Sequence, residues 1–272
     1  TAESIFYNIN YSLSNAIGNN KNLDKYTSII NKEVYDNGVS IKINEVAINR
    51  NELMISTNIK LPAKVEGFHY YQDIFINGKP AKETSSTGTL EDAGNNIYNE
   101  MTSTKITDLN NTDNLDIKIK IRKIETFNGD NDIKKIKGKW DFDFTTSGAE
   151  LTKNTKNIPI SETININNTN ITFTEYSTND FGQVIYAHSE NSPKISYDYR
   201  LVGKDNLGND VEFYLNESQS VTVITLDQQM IAGEGIAFIG PCQAGTANHS
   251  EALLKSMQMT FHQRGWDTDS LA

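Results

Sequence analysis

The clearest pattern along the chain is an alternation of apolar and charged residues between Asp116 and Thr145. A period of two is typical of β-strands, whose successive side chains point to opposite faces. Two strands are predicted, and their apolar positions are Ile117, Ile119, Ile121, Trp140, Phe142 and Phe144. The alternate positions are basic in the first strand and mostly acidic in the second, so antiparallel pairing would set opposite charges side by side. Each aromatic ring removes roughly 150–250 Å² from water, so this hairpin is expected to form the centre of a half-buried sheet.

A second hairpin is predicted between Val39 and Leu61, with a turn at residues 49–51. Its apolar alternation slips by one residue at Asn44-Glu45, and such a slip indicates a β-bulge. Further strands are predicted over residues 71–76, before an Asn77-Gly78 turn, and over residues 97–106.

Three other stretches of the first half lack the strand pattern. Apolar residues at every fourth position predict a helix from Ile5 to Ile17, and a second short helix is predicted from Asn22 to Val34. Residues 82–96 are rich in Ser, Thr, Gly and Asp and are predicted to form a long mobile loop. Residues 146–157 are polar, and we place a domain boundary near residue 150.

Strand signals resume beyond this boundary. Alternating apolar residues predict strands over 158–166, 171–173, 181–188, 195–201 and 211–215. Strands at roughly ten-residue spacing with polar turns favour a β-sandwich. The expected fold is therefore mainly β, with helical N-terminal segments and two β-sandwich-like domains, residues 1–150 and 151–272.

The composition changes after about residue 217. Asn and Lys become rare and Gln becomes frequent, and Ser250 is positioned to cap a helix that carries Leu253, Leu254, Met257 and Phe261. One hypothesis is that this atypical tail has a separate origin, for instance a frameshifted or vector-derived end.

The net charge restricts the range of partners. The chain carries a formal charge of −10 over 272 residues. An acidic protein gains nothing from contacts with phosphates or anionic lipid headgroups, so nucleic acid and such membrane surfaces are not expected partners. Cys242 is the single cysteine, which excludes an internal disulfide, and we interpret it as an inert small residue. The chain has no signal peptide and no apolar run of about 20 residues, so any targeting or anchoring segment is expected upstream of Thr1.

No stretch carries a specific catalytic or metal-binding motif. Asp108, Asn110 and Thr112 have the alternate spacing of a calcium loop, but Asp113 and Ile119 occupy the positions of the required Gly and Glu. Residues 128–132 are interpreted as a solvated turn, and residues 233–240 are glycine-rich without the spacing of a nucleotide-binding loop. The histidines at positions 69, 188, 249 and 262 have no zinc-binding spacing. We therefore predict no catalytic, cofactor-binding or metal-binding residues, and no cofactor.

An aromatic cluster at Phe68-His69-Tyr70-Tyr71 leaves two interpretations open. It is either an exposed patch that binds sugar or peptide, or a mixture of core residues and a strand edge.

Four short motifs carry a resemblance to a known family. They are Tyr35–Val46 (YDNGVSIKINEV), Asn51–Ser56 (NELMIS), Lys139–Phe144 (KWDFDF) and Lys204–Asn209 (KDNLGN). In this order they resemble a family of uncharacterised extracytoplasmic β-rich domains from Gram-positive spore-formers, found in membrane-anchored anti-sigma-factor-like proteins. The resemblance covers roughly residues 1–216 and implies a short cytoplasmic segment and one membrane span before two β-rich outer domains.

The function expected from this resemblance is non-enzymatic. The chain would be the extracytoplasmic, cell-surface part of a membrane-anchored regulator, sensing an envelope signal or an unknown envelope ligand or protein. The alternative is a cell-surface adhesion or glycan/peptide-binding module, and an envelope hydrolase ranks last.

Overall fold

The protein is mainly β, as expected, and is built from several antiparallel sheets. The computed structural model describes residues 11–17, 23–107, 109, 114–129, 132–166, 169–189, 198–204, 210–216, 221–225, 229–233, 236–240 and 260–264. The chain divides into two compact units, Thr1–Thr152 and Lys153–Ala272.

The described residues up to Asn154 contain two short helices, one 3₁₀ turn and nine strands. The helices are α1 (Leu13–Ala16) and α2 (Ala149–Asn154), and the 3₁₀ turn is Asp24–Tyr26. The strands are β1 (Ser28–Asp36), β2 (Val39–Asn49), β3 (Glu52–Lys60), β4 (Gly67–Ile76), β5 (Lys79–Pro80), β6 (Glu83–Gly94), β7 (Ile97–Ile106), β8 (Leu115–Asn128) and β9 (Asp132–Thr146).

These strands form two antiparallel sheets that contribute to one hydrophobic core. The five-stranded sheet has the order β1-β2-β3-β7-β6, and the four-stranded sheet has the order β5-β4-β8-β9. Ile41, Ile55 and Tyr98 of the larger sheet belong to the same buried cluster as Ile119 and Trp140 of the smaller one. The alternating apolar faces seen in the sequence are therefore turned toward a shared interior.

The predicted central hairpin is confirmed. β8 and β9 pair antiparallel with Ile117 opposite Phe144 and Ile119 opposite Phe142. The second hairpin and its bulge are confirmed as well, because the register of β2 and β3 shifts between Ile43 and Glu45. The predicted turn at Asn77-Gly78 has positive φ at both residues, 50° and 79°.

The prediction of a helix over residues 22–34 is wrong. After the 3₁₀ turn the chain enters β1, which pairs with β2 along the hairpin. Ile30 and Val34 pack against the core while Ile29 is 69% exposed. Asn31, at φ 47°, lies where the register shifts, and so Ile30 and Val34 reach the same face without a helix. Pairing with β2 overrides the local helical pattern.

The prediction of a mobile loop over residues 82–96 is also wrong. Most of it is β6, which pairs with β7 from Glu83 to Gly94. A ladder is made by backbone groups, so an edge strand tolerates a polar, glycine-containing sequence when its neighbour is in place.

The predicted N-terminal helix is present only in part within the described residues. α1 spans Leu13–Ala16, and the Ser12 side chain caps it by accepting a hydrogen bond from the Asn15 backbone N–H. Ile5 and Ile9 lie outside the described residues. Leu13 is fully buried, and its backbone N–H donates to Glu45 Oε2 at 3.0 Å. This contact fastens α1 to the face of the larger sheet that points away from the shared core.

The strands described in the second unit form one branched antiparallel sheet. Its strands are β10 (Lys156–Ile166), β11 (Thr169–Asn179), β12 (Gly182–Ser189), β13 (Asp198–Lys204), β14 (Asp210–Asn216), β15 (Val221–Thr225), β16 (Gln229–Gly233), β17 (Ile236–Gly240) and β18 (Thr260–Arg264). Seven of them follow the order β10-β11-β12-β17-β14-β13-β18, and β15 joins β14 to β16. Phe173 and Tyr176 of β11 are buried with Ile185 of β12.

The atypical tail contributes strands to this sheet. Phe261 lies in β18 opposite Leu201 of β13, so the predicted helix from Ser250 does not extend to Phe261. The other positions named for that helix, Leu253, Leu254 and Met257, lie outside the described residues.

Candidate binding cleft

The first unit has a cleft between β4 and β6, the strands at one lateral edge of its two sheets. Its volume is about 350 Å³, and it is lined by residues 68–72, Glu83, residues 86–90, Glu100 and Thr102. We call it the edge cleft. β6 is the last strand of the larger sheet, and β5 covers β4 only at Phe75 and Ile76. Two strand edges without a neighbouring strand among the described residues therefore border the same cleft.

The cleft is polar where the two sheets approach each other. The hydroxyl of Tyr70 on β4 donates to Glu100 Oε2 on β7 at 2.5 Å, and the hydroxyl of Thr57 on β3 donates to the same oxygen at 3.2 Å. Burial raises the pKa of Glu100 to about 7, against the lowering effect of the two hydrogen bonds. Burial also raises the pKa of Tyr70, and the nearby Glu100 charge adds to that shift.

A second polar bridge lies beside the first. The side-chain amide of Gln72 on β4 donates to Thr104 Oγ1 on β7 at 3.4 Å. The hydroxyls of Thr104 and Ser86 are 2.9 Å apart. Small hydroxyl-bearing side chains therefore occupy positions where other strands carry Ile or Phe, and they leave space between the sheets.

Aromatic side chains surround the mouth of the cleft. Tyr71 is 64% exposed, and its ring meets the ring of His69 edge to face at a centroid distance of 4.5 Å. The ammonium of Lys123 lies 5.1 Å from the Tyr71 ring centroid. Phe68 is buried and packs edge to face on Tyr98.

Glu83 adds a second carboxyl group to the cleft. Its pKa is raised by burial and, to a smaller extent, by the charge of Asp73, while a hydrogen bond from the backbone of Ile74 opposes the shift. The lining thus holds two carboxyl groups and no Lys or Arg among the described residues.

A neighbouring cavity of about 520 Å³ extends along β6 and shares Leu90 with the edge cleft. Tyr98 fixes its wall, because the Tyr98 hydroxyl donates to the Val65 carbonyl at 2.9 Å and accepts from the Val65 N–H at 2.8 Å. Lys64 and Asp92 form an ion pair of 3.0 Å across it. The basic group of this cavity is therefore already paired with a carboxylate.

Each of the two interpretations of the Phe68–Tyr71 cluster applies to part of it. Phe68 belongs to the core and Tyr70 is half-buried, while His69 and Tyr71 are exposed. Alternation along one strand separates the four rings, so the cluster is neither a single exposed patch nor only core.

The other candidate residues do not form a site in the described part of the chain. His188 lies on β12 and His262 on β18, whereas His249, Cys242, Asp108, Asn110, Thr112 and Asp113 lie outside the described residues. Gly233 ends β16 and Gly240 ends β17. No group of three or more His, Cys, Asp or Glu side chains among the described residues is placed to hold a metal ion. Within the same residues, no helix has the length and apolar character of a membrane span.

Sequence reasoning missed Glu100, Thr57 and Thr104, and it named Tyr70 only as a member of the aromatic cluster. The signal was the sequence of β7, where Tyr98, Glu100, Thr102 and Thr104 occupy the alternate positions that face the second sheet. Polar residues at core-facing positions indicate either a bridge or a site, but the facing strand has to be known before the two sets can be combined.

Residues 2–61 match the model of a family described as a domain of unknown function, DUF4179. The chain is also similar to a solved structure described as a conserved domain protein from Bacillus anthracis, with a TM-score of 0.60 and 17% sequence identity over 90% of this chain and 92% of that one. No curated protein matches the chain. At this level of identity the likeness concerns the fold, and the family is uncharacterised.

Proposed function

We propose that this chain is the extracytoplasmic, non-enzymatic binding part of a membrane-anchored, anti-sigma-factor-like regulator, and that the edge cleft receives its envelope signal or partner. The observation that carries the proposal is the cleft itself. Polar groups from β4, β6 and β7 converge in an opening between two sheets that elsewhere share an apolar core. A concave site with a few convergent polar groups and a carboxyl of raised pKa is the usual form of a binding site.

The regulatory context comes from the family resemblance of the four short motifs. The DUF4179 match over residues 2–61 and the fold shared with a Bacillus protein over most of the chain agree with the likeness to an uncharacterised β-rich domain, and the regulatory role is our proposal. The two-domain β-sandwich arrangement, the cell-surface location and the link to a sigma factor belong to this proposal.

The first test is to read the gene upstream of Thr1. The proposal expects a short cytoplasmic segment followed by about 20 apolar residues. A cleavable signal peptide, or a Met codon directly before this chain, would contradict membrane anchoring.

The second test asks whether the cleft transmits a signal. In cells with a reporter for the neighbouring sigma factor, Leu90→Arg in the full-length protein places a long charged side chain where the two cavities meet. We expect this variant to change the reporter response while the protein remains at wild-type abundance. Ile133→Arg is the matched control, because Ile133 is a similarly exposed apolar residue outside both cavities. Equal responses from the two variants would argue against the cleft as the signal site.

A surface adhesion or glycan-binding module is the second candidate, and the exposed Tyr71 ring favours it. Aromatic faces at the mouth of a cleft suit sugar rings. Retention of the purified chain on immobilised peptidoglycan or glycans, lost in Tyr71→Ala but not in Tyr35→Ala, would support this function. Tyr35 is a fair control because its ring is 65% exposed and lies on β1.

A further inference from the structure

The open side of β4 is the most informative feature of the edge cleft. The carbonyl of Ile74 accepts a hydrogen bond from Ala81 N–H, and the backbone of Ile74 also bonds to the Glu83 side chain. The backbone groups of Ile74 therefore point away from β8. Because alternate residues of a strand direct these groups to the same side, Gln72 presents its N–H and C=O toward the cleft.

The N-terminal half of β4 has no strand on that side in the described part of the chain. β5 pairs only with Phe75 and Ile76, and the next strand across the gap is β6 of the other sheet. A strand edge that borders a concave opening is a template for an added strand.

The acidic lining of the cleft limits which side chains an added strand can place there. Glu100 and Glu83 are its two carboxyl groups, and no Lys or Arg lines it among the described residues. Glu100 is reached by neutral hydroxyls from β3 and β4, and its register partner on β6 is the apolar Leu90. A basic side chain inserted here would meet a carboxyl group that has hydrogen bonds but no counter-ion among these contacts.

The geometry points to an extended peptide segment of a partner protein as the ligand: it adds as a strand to the open edge of β4 over Gly67–Gln72 and directs a Lys or Arg side chain to Glu100. This inference rests on the proposed function of the edge cleft as a binding site. Backbone hydrogen bonds to β4 supply general affinity, and the Glu100 contact supplies specificity.

Two structural details limit the register of the added strand. The irregularity between Tyr70 and Gln72 has its extra residue on β8, so the open edge of β4 continues through it, and the Glu83 carboxylate accepts a hydrogen bond from the Ile74 backbone. The free edge is thereby limited to the residues before Asp73. Within that length the side chain of Tyr70 reaches Glu100, so the basic residue of the ligand is expected opposite Tyr70 or its neighbour.

The test uses three pools of capped eight-residue peptides with alternate positions randomised and one central residue fixed as Lys, norleucine or Glu. They are titrated into the isotopically labelled chain and followed by NMR. We expect the Lys pool to shift and protect backbone amides of Gly67–Gln72, with apparent affinity at least about tenfold above that of the Glu pool. N-methylation of alternate backbone nitrogens of the peptide should abolish binding, because it removes the donors that pair with β4.

Glu100→Gln should reduce the preference for Lys over norleucine to about one. Glu125→Gln is its matched control, because Glu125 lies on β8 in ion pairs with Lys123 and Lys135 and does not line the cleft. Equal binding of the Lys and Glu pools, indifference to N-methylation, or absence of binding by every pool would overturn the inference. So would protection of the same amides by concentration-dependent self-association without peptide, which would assign the edge to a second copy of the chain.

The two proposals fail in different ways. If Leu90→Arg changes the sigma-factor reporter but no peptide pool binds, the cleft is a signal site for a different ligand. If the Lys pool binds β4 but the reporter is indifferent to Leu90→Arg, the peptide site exists without the regulatory role.

Discussion

The two lateral sides of the first unit are bordered by the same two sheets but differ in how they are closed. On the side of β1 and β9, the indole N–H of Trp140 donates to the Val39 carbonyl at 3.1 Å and the Lys139 N–H donates to Asp36 Oδ2 at 2.7 Å. On the side of β4 and β6, the sheets meet through Tyr70–Glu100 and Gln72–Thr104, and the edge cleft remains.

The difference follows from side-chain size and polarity at matching positions. Trp140 of β9, Ile121 of β8 and Gln72 of β4 lie in one row across the smaller sheet. Trp140 is fully buried at one end of this row, whereas Gln72 at the other end faces hydroxyl groups. Large apolar rings join the sheets by excluding water, and short polar side chains join them by hydrogen bonds that leave space for a ligand.

The largest expected effect comes from removing the ring that fills the closed side. Trp140→Ala should lower the free energy of unfolding by about 3–5 kcal/mol, since it deletes a fully buried ring together with its hydrogen bond to the Val39 carbonyl. Leu90→Ala on the open side should cost less than about 1 kcal/mol, because Leu90 is 42% exposed. Urea unfolding measures both, and similar losses would show that the two sides are packed alike.

The pH dependence of stability should reveal the polar contact of the open side. The pKa of Glu100 is about 7 in the folded chain against a reference of 4.5, so the folded state keeps a proton that the unfolded state loses. The contribution of Glu100 to the free energy of unfolding is fully present below pH 4.5 and is lost as the pH rises to about 7. The loss amounts to about 2–3 kcal/mol between pH 5 and 8.

Glu100→Gln isolates that contribution, because burial also raises the pKa values of Glu45, Glu52 and Glu83. The variant should unfold at nearly the wild-type urea concentration at pH 5 and at a higher one at pH 8. Parallel curves for the two proteins across this range would contradict the raised pKa of the Glu100 carboxyl group.

Two glycines allow a matched test of how tightly each side is packed. A Cβ at Gly138 would overlap the Trp140 ring, and a Cβ at Gly67 would overlap the Phe127 ring. Trp140 is buried and held by Val39, whereas Phe127 is 40% exposed and free to rotate outward. Gly138→Ala should therefore cost about 1–3 kcal/mol and Gly67→Ala less than about 1 kcal/mol. Thermal unfolding of the two variants shows which substitution destabilises the protein more. A larger loss for Gly67→Ala than for Gly138→Ala would contradict the difference in packing between the two sides.

The smallest effect is expected on the exposed face of the closed side. Arg122 and Asp141 form an ion pair of 2.5 Å, and Lys118 and Asp143 form one of 2.9 Å, all four side chains being more than 40% exposed. Solvent screening limits the strength of such pairs, so Arg122→Ala should lower the free energy of unfolding by less than about 1 kcal/mol. At high salt even this difference between the variant and the wild type should disappear. A loss as large as that of Trp140→Ala would mean that charge rather than packing holds this side together.

The β8–β9 hairpin of the closed side could be predicted from the sequence, whereas β1 on the same side and the edge cleft could not. The alternation around Trp140 predicted both faces of β9, and the opposite charges of β8 and β9 were compatible with their antiparallel pairing. The polar bridges beside the edge cleft combine Tyr70, Glu100, Thr57 and Thr104, which lie up to 47 residues apart in the sequence. Each of them resembles an ordinary strand residue until the sheets are assembled.

The sequence by itself determined the strands in which apolar residues alternate with polar ones, namely β2, β3, β7, β8 and β9. It also determined the bulge at Asn44-Glu45 and the turn at Asn77-Gly78. Only the tertiary structure decided that residues 28–36 and 83–94 are strands, because their neighbours β2 and β7 supply the hydrogen-bond partners that their own side chains do not indicate. It also decided that Glu100 is half-buried between the sheets, where desolvation raises the pKa of its carboxyl group. Local pattern encodes the face of a strand, whereas pairing at an edge and the meeting of two sheets depend on residues far apart in the chain.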